Sequence, residues 1–178
     1  LSIGDRFPHV LSAARDGADW AWAELYDDLA PTLLRFVTAM GAAEPEDCLG
    51  ECFVQLVRNL PRFAGEEESF RTWAFRIARN RVIDGWRRDG RRPAHPVGDV
   101  VALSDRYTHQ EAPDLALAGE DWVDRILGEL TPDQRAVLLL RVIDQFSVED
   151  TALVLGKSQG AVRVLQNRAL NSLRRLLR

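Results

Sequence analysis

Histidine, cysteine and methionine are scarce in this chain, at three, two and one residues out of 178. That scarcity excludes several functions. His9, His95 and His109 stand alone, and none lies near Cys48 or Cys52 to complete a zinc-ligand set. There is no glycine-rich phosphate loop and no nucleophile with a base beside it, so nothing supports an enzyme, a cofactor or a metal. Cys48 and Cys52 are four apart. On a helix they share a face but are poorly placed for a disulfide, and they read as small apolar residues facing a core. No apolar run reaches membrane-spanning length and no signal-peptide pattern is present, so a cytoplasmic protein with no membrane partner is expected. The net charge of −4 argues against a uniformly basic nucleic-acid binder.

What is present is apolar and segregated in charge. The apolar share of 46% makes the chain globular, and its length suits one ordinary domain or two small ones. Acids gather at Glu44, Glu46, Asp47, Glu51, Glu66 to Glu68 and Asp99 to Asp124. Bases gather at Arg71 to Arg92 and Lys157 to Arg178. A chain with that pattern is suited to meet both nucleic acid and basic protein surfaces.

The first half reads as an all-helical bundle. Residues 5–16 form a short helix with Phe7, Val10, Leu11 and Ala14 on one face. Asp19 is placed to cap a second helix from Trp20 to about Tyr26, and Pro31 to open a third carrying Leu33, Phe36, Val37 and Met40. Gly41 is its expected stop. A further helix from Pro45 to Leu60 has Cys48, Leu49, Cys52, Phe53, Leu56, Val57 and Leu60 as its apolar stripe. Arg62 to Ser69 reads as a solvated polar loop, with Ser69 capping the next helix.

That next helix, FRTWAFRIARNRVIDGWRRDGRR from Phe70 to Arg92, is the most informative stretch. Phe70, Trp73, Ile77, Ala78 and Ile83 recur near helical spacing. The exposed positions are expected to be arginines: Arg71, Arg76, Arg79, Arg81, Arg87, Arg88, Arg91 and Arg92. Arginine supplies phosphate contacts, and the interleaved aromatics can stack on unpaired bases or fill a core. From Asp89 to about Gly119 helix breakers recur (Pro93, Pro96, Gly98, Pro113) and large apolar residues thin out, which reads as a linker.

The second domain runs from about Asp114 to Arg178. Trp122, Ile126, Leu127 and Leu130 form one helix face. Thr131 caps the next helix, with Pro132 in its first turn and Ala136 to Ile143 making it strongly apolar. Ser147 caps a helix with Asp150 three residues on, and Ala152, Leu153 and Leu155 are expected inside. Gly156 ends it and Ser158 caps another, held by Val162, Leu165, Leu170, Leu173 and Leu176. Two helices joined by a short Gly-containing turn form a helix-turn-helix. Gln159, Arg163, Gln166, Asn167 and Arg168 are expected outward, with chemistry suited to base edges. Lys157, Arg174, Arg175 and Arg178 suit phosphates, and no acid follows Asp150.

Several stretches, in order, resemble one family. WAELYDDLAPTLLRFV and PEDCLGECFVQLVRNLPRF resemble the first part of region 2 of sigma-70 factors. FRTWAFRIARNRVIDGWRR resembles the promoter-melting part of that region, and LTPDQRAVLLLRVIDQFSVEDTALVLGKSQGAVRVLQNRALNSLRRLL resembles region 4. The chain thus resembles an extracytoplasmic function (ECF) sigma factor of bacterial RNA polymerase, with region 2 at 1–92, a linker at 93–113 and region 4 at 114–178.

The resemblance implies an all-α, two-domain sigma factor that binds core polymerase and recognises the −10 and −35 promoter elements. It implies polymerase contacts from Asp47, Leu49, Glu51, Phe53, Gln55 and Arg58 to the clamp helices of the largest subunit. Region 4 would meet the flap of the second-largest subunit. Here Gly50 stands where relatives usually carry Gln. The resemblance further implies −10 contacts from Phe63, Ala64, Ser69 and Asn80 around a captured base, with Arg71, Arg76, Arg79, Arg87 and Arg88 on the strand. It implies −35 contacts from Lys157, Ser158, Gln159, Arg163, Gln166, Asn167 and Arg168. Relatives are often held by an anti-sigma factor, a partner that the acidic linker and apolar domain faces would suit. The competing reading of the residues is a free-standing helix-turn-helix regulator with an N-terminal helical sensing or dimerisation domain.

Overall fold

The computed structural model describes residues 3–90 and 127–176. The expected linker, Arg91, Arg92, Leu115, Leu117, Trp122, Ile126 and Arg178 lie outside those residues. Among the described residues every regular element is helical and no strand occurs. The chain divides into two units, Leu1–Arg88 and Asp89–Arg178.

The first unit holds α1 (Phe7–Arg15), α2 (Asp19–Ala39), α3 (Pro45–Asn59) and α4 (Glu67–Arg88). Helix α2 packs against α1, α3 and α4, and α3 packs against α4. Leu25, Leu29, Leu33, Phe36 and Val37 of α2 are buried, as are Leu49, Cys52 and Leu56 of α3. Phe75 of α4 meets Phe36 edge-on at 5.2 Å between ring centroids. It is fully buried, so α4 is buried on more than one stripe and Thr72 is enclosed with it.

At α2 two boundaries differ from the sequence reading. Asp19–Ala39 is one helix rather than two, with Pro31 inside it. Proline removes one backbone donor and crowds the carbonyl a turn back, a cost of about 3 kcal/mol. Leu29, Ala30 and Leu33 are all buried around it, so tertiary packing overrides the local break. The Thr32 hydroxyl donates to the Leu29 carbonyl at 2.9 Å, adding a bond within the disturbed turn. Asp19 is the first helical residue and not the cap, which falls at Ala18 with no side-chain bond. The C-terminus behaves as expected. Gly41 takes φ 84°. Its N–H reaches the Thr38 carbonyl, and the N–H of Ala42 reaches that of Val37, a Schellman closure.

The second unit holds α5 (Pro132–Leu138), a π-helical turn (Leu139–Ile143), α6 (Val148–Leu155) and α7 (Gln159–Leu176). Thr131 and Gln134 make a reciprocal capping box. The apolar run expected as one helix thus changes winding at Leu139. Arg141 follows in that turn, donating to the Phe146 carbonyl and, at 3.3 Å, to Gln166 of α7. Ser147 caps α6 and Ser158 caps α7, with Gly156 at φ 63° between them. Helix α7 packs on both α5 and α6. Two residues expected inside lie outside: Leu153 is 54% exposed and Leu176 is 43% exposed. Val154, not Leu153, completes the inner face of α6.

Candidate nucleic-acid interface

The basic helix α4 begins at Glu67, two residues before Ser69, which is exposed within the first turn and does not cap it. The acids there are not all solvated. Glu67 accepts the backbone N–H groups of Ile3 and Gly4, each at 2.8 Å, and so ties the chain start to the first turn of α4. Phe63 stacks on Trp73 at 5.1 Å with 15° between planes, and meets Phe70 edge-on at 5.3 Å. The Phe63 carbonyl takes a hydrogen bond from Arg15. A Cβ at Gly65 would sit 3.0 Å from both the Phe63 ring and Ser69 Cβ, so any larger residue would make these neighbours give by a few tenths of an ångström. The result is a fixed loop beside a cleft of about 840 Å³, whose lining includes Phe7, Leu11, Arg15, Gly65 and Arg71. Sequence reasoning missed Arg15 and Glu67 as loop anchors, because their partners are backbone groups 48 and 64 residues away.

The expected −10 residues divide by exposure. Ala64, Ser69, Arg76, Asn80, Arg87 and Arg88 are exposed. Phe63, Arg71 and Arg79 are half-buried, and Phe63 has its ring occupied by Trp73. Arg81, also half-buried, turns to α3, where it reaches Glu51 at 3.6 Å and Gln55 at 3.2 Å. Trp86 donates to the Gly41 carbonyl at 3.2 Å. Eleven residues separate Ser69 from Asn80, roughly 16 Å along the helix axis. The loop and Asn80 therefore stand about three turns apart on one exposed, arginine-bearing helix.

On α3, Asp47, Glu51 and Arg58 are exposed, Phe53 and Gln55 are half-buried, and Leu49 is buried. Phe53 packs on Tyr26 at 4.7 Å. The outer face also carries apolar residues that the fold leaves half uncovered: Val54 and Val57 are each 48% exposed, as is Tyr26 on α2. Val57 was expected in the buried stripe, and Val54 was overlooked. Three apolar residues in a row at Cys52 to Val54, more than one stripe holds, were the available signal. Gly50 is exposed in mid-helix, and a Cβ there would meet nothing within 4 Å. The two thiols sit on the inner edge of this helix: Cys52 is buried, Cys48 half-buried, both free. The hydrogen bond between them pulls Cys48 below the ordinary thiol range. It pushes Cys52 up, and burial adds to the rise.

In the second unit Gln159, Arg163 and Arg168 are exposed, while Gln166 and Asn167 are half-buried. At 3.6 residues per turn, Gln159, Arg163 and Asn167 follow one line along α7, and Arg168 lies about 140° around from Arg163. Gln166 is held by Arg141. Lys157 is not a free cation: its ammonium meets Asp133 at 3.0 Å, with both side chains largely enclosed. Ser158 is engaged as the cap. Among the described residues no cluster of three or more His, Cys, Asp or Glu could hold a metal ion, and no helix is long and apolar enough to cross a membrane.

A four-helix unit with a basic last helix, and a second unit with a helix-turn-helix, are the architecture of a helical DNA-binding protein. Comparison with known proteins agrees. Residues 25–92 match sigma-70 region 2, and residues 120–173 match sigma-70 region 4. The chain is 32% identical to the ECF RNA polymerase sigma factor SigD of Mycobacterium tuberculosis over 180 residues, covering 96% of this chain and 84% of SigD. It is 30% identical to the ECF sigma factor BldN of Streptomyces coelicolor, covering 97% of this chain but 66% of BldN. Among solved structures it is similar to CnrH, determined in complex with the cytosolic domain of CnrY, with a TM-score of 0.71, 27% identity and 97% coverage of both chains. The chain belongs to the ECF sigma factors of the sigma-70 family, carrying regions 2 and 4. Members of this family direct RNA polymerase to promoters and are not themselves enzymes.

Proposed function

We propose that residues 1–92 bind core polymerase and open the −10 element, that 93–113 link the two halves, and that 114–178 read the −35 element. The observation that carries this reading is the presence of both an exposed arginine face on α4 and a Gln159–Arg163–Asn167 line on α7, exposed at Gln159 and Arg163 and half-buried at Asn167. The two faces suit different forms of DNA. Helix α7 follows a capped helix and a tight Gly156 turn and offers bidentate side chains, which suits a duplex major groove. Helix α4 and the Phe63–Ser69 loop offer a cleft, cations and Asn80, which suits a strand with an extruded base. Arg76, Arg87 and Arg88 take phosphates of that strand, with Arg71 and Arg79 deeper.

On this reading the outer face of α3 meets the clamp helices of the polymerase's largest subunit. Asp47, Glu51 and Arg58 provide charge there, with Phe53 and Gln55 at the edge. Leu49 acts from within by holding the helix. Exposed Leu153 gives the second unit an apolar contact for the flap of the second-largest subunit. An inhibitory protein of the anti-sigma kind would compete for these same faces; the similar CnrH was itself determined with a bound protein, the cytosolic domain of CnrY. The place of action is then the bacterial cytoplasm, where the polymerase works.

The test is run-off transcription by core polymerase on a pool of genomic promoter fragments, with and without the chain. Starts that depend on the chain are expected. Their absence, with the chain binding duplex DNA tightly by itself, refutes the proposal.

A further inference from the structure

One wall of the cleft beside the −10 loop is built from residues that precede the stretch matching region 2, which begins at residue 25. Gly4, Asp5, Phe7, Leu11 and Arg15 belong to that wall, and residues 64–68 with Arg71 face them. We propose that Arg15 and Glu67 are positioning residues that pin α1 and the turn before it against the Phe63–Ser69 loop, and so set how sharply the cleft discriminates among extruded bases. This rests on the reading of that loop as the base-capturing segment of the −10 contact.

The two ties sit at opposite ends of one short helix. Before α1, the Glu67 carboxylate accepts the N–H of Ile3 through one oxygen and the N–H of Gly4 through the other, each at 2.8 Å. At the last residue of α1, the Arg15 guanidinium donates to the Phe63 carbonyl. Gly4 and Arg15 are eleven positions apart, roughly 16 Å of helix. Between them Phe7 packs on Phe70 of α4 at 5.5 Å between ring centroids. That apolar contact has no direction, and by itself it lets two elements slide and rock. Charge-assisted hydrogen bonds at both ends remove those freedoms.

The ties reach the cleft through the loop. Phe63 is where the constraints converge. Arg15 holds its carbonyl, and its ring stacks on Trp73 at 5.1 Å. The Phe63 N–H closes a turn onto the Leu60 carbonyl at 3.0 Å. Glu67 fixes the other end of the loop, where α4 begins. Bases differ in a few exocyclic atoms, so a site tells them apart only if its walls keep their places to about 0.5 Å. A wall free to rock accommodates any base. Neither residue needs to touch DNA to act in this way. The Glu67 carboxylate is turned onto backbone donors of its own chain, which gives the middle acid of the Glu66–Glu68 run a task inside the protein.

The experiment takes the full chain through two measurements. Amide exchange, followed by NMR, reads the ties. In Glu67→Ala the Ile3 and Gly4 amides should exchange at least about ten-fold faster, and in Arg15→Ala the Phe63 amide should do the same. Arg15 is exposed, so its truncation leaves the core of the unit intact. Glu67→Gln, which keeps one acceptor oxygen, serves if Glu67→Ala fails to fold. Base discrimination is read by sequencing run-off transcripts from core polymerase with the chain, on a promoter pool randomised across the −10 and −35 elements. Arg15→Ala and Glu67→Ala should flatten the preference at a −10 position about two- to ten-fold. Core affinity and −35 preference should stay at the parent's values, and Arg15→Lys and Glu67→Gln should fall between parent and alanine. An unchanged −10 preference overturns the proposal, whether or not exchange is faster. So does an equal loss at −10 and −35, which marks a general loss of fold. A salt slope lowered by about one in Arg15→Ala, with −10 preference intact, makes Arg15 a phosphate ligand instead and also overturns it. If the parent chain gives no chain-dependent starts, the promoter reading itself fails and takes base discrimination with it, while exchange still reports whether the ties hold the loop.

Discussion

Replacing Val54 and Val57 together by serine tests which side of α3 meets the polymerase. Both lie on the outer face, and each is 48% exposed. Full burial of a valine side chain is worth about 1.5–3 kcal/mol, so about half remains to be gained when a partner covers it, roughly 1 kcal/mol per residue. The double variant should therefore lose about 2 kcal/mol of core binding, roughly thirty-fold in Kd. Serine has a helix propensity close to that of valine, so the helix itself is not penalised. The buried half of each side chain costs the fold a similar ~1 kcal/mol, which a urea titration will register. Leu49→Ala is the matched control. Leu49 is 5% exposed, so its truncation should cost about 2–5 kcal/mol of stability, while whatever chain remains folded binds core normally. Fluorescence anisotropy of labelled chain against core polymerase measures both. If the double serine variant binds within two-fold of the parent while folded Leu49→Ala chain loses affinity, the assignment of the outer face is wrong.

Arg163→Ala should lower affinity for a cognate −35 duplex by about 1–3 kcal/mol and relax preference at one base pair, read by competition among single-base variants; an unchanged preference excludes a base contact. Asn80→Ala should impair promoter opening, followed by permanganate reactivity, more than it impairs core binding; equal loss in both counts against a strand contact. Asp28 is pushed above the ordinary carboxylate range by burial, with Arg71 opposing. A raised folded value means the native state holds its proton more tightly. The resulting penalty is complete above the folded pKa and vanishes below the unfolded one. Asp28→Asn should therefore raise Tm at pH 7 and lose that advantage on acidification; an advantage that persists at low pH would show a cause other than ionisation.

Much of this arrangement could be read from the residues, and the failures have a common origin. The caps at Thr131 and Ser147 and the stops at Gly41 and Gly156 were legible because they are local, whereas Asp19 and Ser69, read as caps, lie inside their helices. Pro31 misled because its local cost is outweighed by burial of Leu29, Ala30 and Leu33, a tertiary effect invisible in a window. Leu153 and Leu176 misled in the other direction: both are apolar by type, yet no helix covers either fully, and burial by a distant element is as invisible in a local window as the packing around Pro31. For the candidate site, residue types were legible and partners were not. Lys157 reads as a phosphate ligand until Asp133, twenty-four positions earlier, is found beside it. Glu67 reads as a solvated acid until two backbone N–H groups from the chain start close on it.

Those partners change what the basic helix can do. Eight arginines between Arg71 and Arg92 invite a picture of a uniformly cationic rod. Within the described part, Arg81 is committed to Glu51 and Gln55 on α3, and Arg87 pairs with Asp84 at 3.3 Å. The Arg87 pair is exposed on both sides and therefore weak, so a phosphate can displace the carboxylate. The Arg81 contacts join α4 to the helix read here as the polymerase contact. One helix thus carries both a nucleic-acid face and the link to α3, and Arg81 stands between them. Substituting Arg76 should reduce the salt dependence of strand binding by about one phosphate's worth while leaving core affinity intact. Substituting Arg81 should do the reverse, weakening core binding through a loosened α3 and leaving the salt slope nearly unchanged. If the two variants behave alike, the helix acts as one undivided cationic surface, and the division of labour along it is refuted.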